Sequence, residues 1–126
     1  MSLHLELGSM IETSFAGDLA SPVEQKQDAL IVRLENGVAL EVRYAAADAY
    51  SLRWVYGDAE SGIDTAPLHR GLETFPNHFH DAGGHIVADP ITRPDALPAD
   101  NLQRLIHALL ADPMLGAKDI GGCVFR

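Results

Sequence analysis

The stretch LIVRLENGVALEVRY (residues 30–44) alternates apolar and polar side chains on both sides of the pair Asn36-Gly37. This alternation is typical of two half-buried strands, and an Asn-Gly pair between them favours a β-hairpin. A two-residue turn would set apolar residues opposite polar ones, whereas a three-residue loop over 35–37 sets Leu34 opposite Val38. Because a shift by one residue moves every side chain to the other face, burial favours the three-residue loop.

Alternation continues beyond the hairpin. Tyr50, Leu52 and Trp54 share one face of a third predicted strand, and Arg53 lies on the other face. Three strands with short links predict an antiparallel meander. Near the start of the chain, alternating leucines over residues 3–7 indicate a further strand or an irregular beginning.

The second half of the chain is interrupted by glycine and proline, and we expect only short strands there, over residues 63–68 and 85–88. A helix follows, capped by Asp95 or Asp100 and ended by Asp112-Pro113. One apolar face defines this helix, at Leu102, Leu105, Ile106, Leu109 and Leu110. The predicted fold class is therefore α+β, a curved antiparallel meander sheet packed against one C-terminal helix.

Composition limits the kind of protein. The length of 126 residues predicts a single α+β domain over residues 1–126, and the 47% hydrophobic and 21% charged content is that of a globular protein. A net charge of −9 argues against binding duplex DNA, which needs clustered basic side chains. A membrane-spanning helix needs about 20 consecutive apolar residues, and the sequence contains no such run. A cytoplasmic protein is therefore expected. The single cysteine, Cys123, cannot form an internal disulfide.

Histidines mark the candidate site. His69, His78 and His80 fall within twelve residues of a segment rich in turn formers, and His85 follows closely. Histidine titrates near neutral pH, so a cluster of histidines can move protons, bind a metal or contact a phosphate.

Three interpretations of the cluster remain open. In acid–base chemistry two histidines share proton removal and delivery, while Arg70 or Arg53 stabilises a phosphate. In a metal site, His78 and His80 would point the same way from an extended segment, joined by His69 or His85 and by a carboxylate of Asp81 or Glu73. In a structural role, the ring nitrogens bond to the loop backbone.

Our prediction takes His69, His78, His80 and Arg70 as catalytic residues and Arg53 as the phosphate-binding residue. It includes no metal ligand and no cofactor.

Four segments together resemble one protein family, the TumE-type toxins, with a match over about residues 29–110. They are LENGVALEVRY (34–44), YSLRW (50–54), APLH (66–69) and TFPNHFH (74–80). TumE-type toxins are small bacterial and archaeal proteins often encoded beside a helix-turn-helix antitoxin.

The family pattern has Asn-Ala-Pro-His-His and Phe-Pro-His-His-x-His where this chain has its histidine segment. Here Thr65 stands in place of the asparagine, Leu68 precedes a single histidine, and Asn77 replaces a histidine.

The resemblance implies a toxin-like component of a toxin–antitoxin pair that acts on RNA through the histidine cluster. The expected partners are a helix-turn-helix antitoxin, an RNA substrate and a second copy of the chain, paired at an open sheet edge. Two alternatives are kept: a non-catalytic protein-interaction module and a metal-dependent hydrolase.

Overall fold

The computed structural model describes residues 2–116, which form two α-helices, a short 3₁₀ helix and seven strands. The helices are α1 (Leu3–Ser14), the 3₁₀ helix (Ala16–Asp18) and α2 (Pro98–Ala111). The strands are β1 (Glu24–Gln25), β2 (Leu30–Arg33), β3 (Ala39–Ala46), β4 (Ala49–Tyr56), β5 (Ala59–Asp64), β6 (His78–His80) and β7 (Ile86–Ala88). Cys123 lies outside the described residues.

All seven strands form one antiparallel sheet in which chain order and spatial order are the same, from β1 to β7. The predicted α+β class and antiparallel meander are confirmed, and the sheet is open rather than closed into a barrel. The predicted hairpin register is also confirmed, with Val32 opposite Leu40. Gly37 has a φ of 100°, the left-handed conformation that ends the three-residue loop.

The inner face of the sheet carries the core. Leu40, Leu52 and Trp54 are almost fully buried there together with Ile63 and Phe79. Helix α2 adds its predicted apolar face to the same cluster. The indole Nε1–H of Trp54 donates to the carbonyl oxygen of Pro113 at 2.9 Å, just beyond the C-terminus of α2.

The prediction for the N-terminal segment was wrong, because residues 3–14 form helix α1 rather than a strand. The hydroxyl of Ser2 accepts a hydrogen bond from the N–H of Leu5 at 3.1 Å and caps the helix. Leu7 and Ile11, four residues apart, are buried in the core, whereas Leu5 is 48% exposed. The spacing of these apolar residues fits a helix as well as the alternation of leucines fits a strand, and tertiary packing selects the helix.

Helix α2 is confirmed, but its predicted cap is wrong. The N-cap residue is Leu97, which makes no side-chain cap, and Pro98 occupies the first turn. Asp95 instead accepts hydrogen bonds from the guanidinium of Arg93. The fixed φ of a proline suits the first helical turn, so this helix starts without a side-chain acceptor.

Of the two short strands expected in the second half, one is confirmed and one is displaced. The strand expected over 85–88 is β7 (Ile86–Ala88), whereas the strand expected over 63–68 is β5, which ends at Asp64. Between them lies β6, for which no separate strand was predicted. No helix within residues 2–116 is long and apolar enough to cross a membrane.

Candidate active site

The candidate site lies on the outer face of the sheet, where β5 pairs with β6. Asp64 is directly opposite His78, and Gly62 is directly opposite His80. Between these pairs, Ile63 is opposite Phe79, and both are buried in the core. Because side chains alternate along a strand, burying Phe79 places His78 and His80 together on the outer face.

Both histidines face the carboxylate of Asp64. Nε2 of His78 lies 3.2 Å from Oδ1, and Nε2 of His80 lies 3.4 Å from Oδ2. One ligand atom from each of the three side chains lies within 4.8 Å of the other two. One carboxylate thus orients two imidazoles.

The imidazole of His78 is enclosed. Its side chain is 2% exposed, and its Nδ1 lies 3.2 Å from the carbonyl oxygen of Pro76. The ring of His69 packs edge-on against it, with 4.7 Å between ring centres. His80, by contrast, has a side chain that is 43% exposed. His80 is therefore the histidine of β6 that a substrate can reach.

His69 comes from the loop of residues 65–77 that links β5 to β6. This loop is fixed at its start by Thr65, whose hydroxyl accepts a hydrogen bond from the N–H of Tyr50 at 3.0 Å. Near its end, the hydroxyl of Thr74 donates to the carbonyl oxygen of Asn77 at 2.8 Å. Both anchors hold the loop over the sheet, and the ring centre of His69 lies 6.4 Å from that of His80.

A surface cavity of about 360 Å³ adjoins the cluster. It is lined by Ser51, Arg53, Glu60, Ser61, Gly62, Asp64 and His80. Arg53 lies directly opposite Gly62 on the neighbouring strand, so its side chain and that of His80 flank a position that has no side chain. The missing side chain at Gly62 leaves room between a guanidinium and an imidazole.

Each of three arginines on the sheet lies near a glutamate. Arg33 pairs with Glu24, Arg43 with Glu41 at 2.9 Å, and the guanidinium of Arg53 is 3.9 Å from Glu60. The side chains of Arg53 and Glu60 are 66% and 72% exposed. An exposed pair at this distance contributes little, so Arg53 can exchange its partner for a phosphate at small cost.

The rings of His69, His78 and His80 lie together in the structure, and Arg53 lines the adjoining cavity. The catalytic role of these residues stays a prediction. The guanidinium of the fourth predicted catalytic residue, Arg70, lies over the ring of Phe75, 5.5 Å from its centre.

Two further histidines have local partners elsewhere. Nδ1 of His85 pairs with Asp81 Oδ1 at 3.2 Å, in the turn between β6 and β7. His4 is half-buried on helix α1, and its Nε2 accepts a hydrogen bond from the N–H of Tyr44 in β3.

Sequence reasoning missed Asp64. The carboxylates expected near a metal were Asp81 and Glu73, yet the carboxylate at the cluster is that of Asp64. A 13-residue loop separates β5 from β6, so no turn type defines the register that sets Asp64 opposite His78. The available signal was weaker: Asp64 follows Ile63, the start of a predicted strand, and precedes the segment that carries His69.

An open antiparallel sheet with two helices on one face and a histidine–carboxylate cluster on the other defines a small α+β protein with a polar surface site. The family model of the toxin TumE matches residues 9–113, which is most of the chain. The chain therefore belongs to the TumE toxin family. Neither the curated proteins nor the solved structures contain a significant match.

Proposed function

We propose that this protein is a toxin that inhibits growth by cleaving RNA at the cluster of His69, His78, His80 and Asp64. The observation that carries the proposal is the convergence of three imidazoles on the outer face, beside a cavity that also contains Arg53. Membership of a toxin family supports the inhibitory role.

The reaction follows from two half-buried imidazoles, those of His69 and His80, that lie near each other. A base removes the proton of an RNA 2′-hydroxyl, whose oxygen then bonds to the adjacent phosphorus. The bond from phosphorus to the 5′ oxygen breaks, and an acid gives that oxygen a proton. With 6.4 Å between their ring centres, His80 and His69 can contact one phosphodiester from two sides.

His80 is the general base in this proposal, and His69 is the general acid. His80 lines the cavity and faces Asp64, which stabilises the imidazolium that forms when His80 takes a proton. The enclosed His78 is a positioning residue, because it lies between His69 and Asp64 and is almost inaccessible to a substrate.

Arg53 stabilises the negative charge that develops on the phosphate. A guanidinium matches two phosphate oxygens at once, and this charge-assisted contact strengthens in the transition state. Arg53 is preferred to Arg70 for this role because it lines the same cavity as His80, whereas Arg70 packs on Phe75.

The partners proposed for this toxin are an RNA substrate and a helix-turn-helix antitoxin encoded by a neighbouring gene. A net charge of −9 suits a basic protein partner and leaves RNA contact to a small local site. The open edges at β1 and β7 suit pairing with a second copy of the chain. The proposed location is the cytoplasm, where RNA is available.

The test combines growth and cleavage. Expression of the wild type should arrest growth, and His80→Ala should restore it, while His85→Ala, which removes a histidine with its own aspartate partner, should still arrest growth. The purified protein should cleave a short single-stranded RNA in the presence of EDTA and leave the matching 2′-deoxy oligonucleotide intact.

Two outcomes would contradict the proposal, and each would favour one of the alternative functions. Growth arrest that persists in His80→Ala, without RNA cleavage by the wild type, would favour an interaction module. Cleavage that disappears in EDTA and returns with added metal would favour a metal-dependent hydrolase.

A further inference from the structure

The imidazole of His78 has two oxygen neighbours and, when neutral, only one N–H. Its Nδ1 lies 3.2 Å from the carbonyl oxygen of Pro76, and its Nε2 lies 3.2 Å from Oδ1 of Asp64. A carbonyl and a carboxylate are both acceptors, and neither can donate. If Nδ1–H donates to Pro76, the lone pair of Nε2 points at a negative oxygen.

A metal cation between the lone pair and the carboxylate would bind both, just as a second ring proton would pair with the carboxylate. In metal sites, a histidine ligand commonly donates its other ring N–H to a backbone carbonyl, which fixes the tautomer and the ring orientation. Pro76 provides that carbonyl for His78. The enclosure of the side chain, 2% exposed, removes water as an alternative partner.

A second nitrogen reaches the same carboxylate. Nε2 of His80 lies 3.4 Å from Oδ2 of Asp64, so two imidazoles and one carboxylate converge. Metal–ligand bonds of about 2.0–2.1 Å in a tetrahedron place neighbouring ligand atoms about 3.3 Å apart. The nitrogen–oxygen distances, 3.2 Å from His78 to Oδ1 and 3.4 Å from His80 to Oδ2, are close to this spacing. One ligand atom from each residue lies within 4.8 Å of the other two.

We propose that Asp64, His78 and His80 bind a divalent transition-metal ion, with Zn²⁺ the best fit. Two nitrogen ligands and one oxygen ligand favour zinc over magnesium or calcium, which prefer all-oxygen sites. The ligands lie on two paired strands, so the site is fixed by the sheet register. The cavity beside His80 leaves a fourth position open to water.

Zinc at this site regulates the reaction proposed above, a consequence that rests on the proposed function. The ion occupies Nε2 of His80, so the remaining ring proton lies on Nδ1 and neither nitrogen of His80 can accept a proton from the substrate. Zinc binding and RNA cleavage therefore exclude each other, and zinc acts as an inhibitor.

The binding test needs no RNA. Tag-free protein, stripped of metal with a chelator and dialysed, is titrated with zinc sulfate by isothermal calorimetry. The expected result is one equivalent of zinc bound, with a higher melting temperature for the zinc-loaded protein.

Asp64→Asn and His80→Ala should each weaken zinc affinity by more than about 100-fold, since loss of a second-shell partner alone costs about 10- to 100-fold. Asp64→Asn keeps a side-chain oxygen for the N–H of Ala66, and His80 is exposed, so both variants should fold, as circular dichroism will show.

His85→Ala is the matched control, because it also removes an imidazole that faces an aspartate. It should bind zinc as tightly as the wild type. Absence of stoichiometric binding by the wild type, or equal affinity in folded Asp64→Asn, would overturn the metal site.

Cleavage assays with saturating zinc and with EDTA separate the two proposals. Inhibition by zinc in the wild type supports the regulatory role, and cleavage unaffected by bound zinc refutes it. A protein that binds zinc but never cleaves RNA refutes both the proposed function and the inhibition, and leaves the metal site standing.

Discussion

The side-chain amide of Asn77 donates a hydrogen bond of 2.8 Å to Oδ2 of Asp89. The same amide also donates to the carbonyl oxygen of Thr92 at 2.9 Å, and Asn77 is 2% exposed. Asn77 comes directly before β6, so its side chain points inward while that of His78 points outward. The departure from the family pattern at this position therefore lies on the inner face of the sheet, on the side opposite His78 and His80.

Replacing Asn77 should destabilise the fold rather than alter the site. Asn77→Ala leaves the buried carboxylate of Asp89 without one of its donors, which costs about 1–3 kcal/mol of the free energy of unfolding. Urea denaturation measures this loss, with His85→Ala as the surface control. An unchanged denaturation midpoint would show that the buried bond contributes nothing to stability.

Arg53 should matter to cleavage but not to folding. Arg53→Ala removes the proposed phosphate contact and should lower kcat/KM for RNA by about 100-fold. Arg53→Lys, which keeps the charge but loses the bidentate geometry, should recover part of the rate.

Arg43→Ala is the control for Arg53, since Arg43 lies on the same face, pairs with Glu41 and does not line the cavity. Equal rates for the two alanine variants would mean that Arg53 has no specific role.

A side chain at Gly62 should fit only if its neighbours shift. A Cβ at this position would lie 3.3 Å from the carbonyl oxygen of Leu52 and 3.4 Å from Cγ of Arg53. Gly62→Ala should lower the free energy of unfolding by about 1–3 kcal/mol, the usual cost of overpacking, and should reduce cleavage by displacing Arg53.

The matched control for Gly62 is Gly17→Ala, because a Cβ at Gly17 meets nothing within 4 Å. Thermal unfolding and a cleavage assay on both variants check the prediction. A Gly62→Ala protein with wild-type stability and rate would contradict it.

The free energy of unfolding at alkaline pH should depend on Tyr50. Burial raises the pKa of Tyr50 to about 12, and its hydroxyl bonds to that of Thr92 at 2.7 Å. The pKa of an unfolded tyrosine is about 10, so the stability from the neutral phenol is complete below pH 10 and is lost as the pH rises towards about 12.

Denaturant unfolding between about pH 8 and about pH 11.5 measures this effect. At pH 8, Tyr50→Phe should be less stable than the wild type, because it loses the hydrogen bond to Thr92. Between pH 8 and high pH, its free energy of unfolding should fall less than that of the wild type, because it has no phenol at position 50 to ionise. Tyr56→Phe, at an exposed position, should follow the wild type. Parallel curves for wild type and Tyr50→Phe would contradict the prediction.

The parts of the fold that the sequence predicted are those determined by local patterns. The hairpin register followed from alternation around Asn36-Gly37, and α2 followed from the helical spacing that begins at Leu102. Helix α1 was missed because the alternation of leucines over residues 3–7 is also typical of a strand. Only contacts with the core decide between a helix and a strand for this segment.

The site was predicted in part for the same reason. His78 and His80 are two residues apart, and alternate side chains of a strand point to the same face. Their common direction could therefore be inferred from the sequence. Asp64 lies fourteen residues before His78, and only the pairing of β5 with β6 sets the two opposite each other. That pairing is a long-range feature that sequence spacing does not encode.

The position of Phe79 between the two histidines has a consequence for how this chain can change. Inserting or deleting one residue within β6 would turn an imidazole into the core and expose the phenylalanine, so the fold and the site would fail together. The loop over residues 65–77 lies outside this alternation, so a change in its length would move His69 without reversing the faces of His78 and His80. Relatives that differ in length should therefore vary in the loop and keep β6 at a constant length.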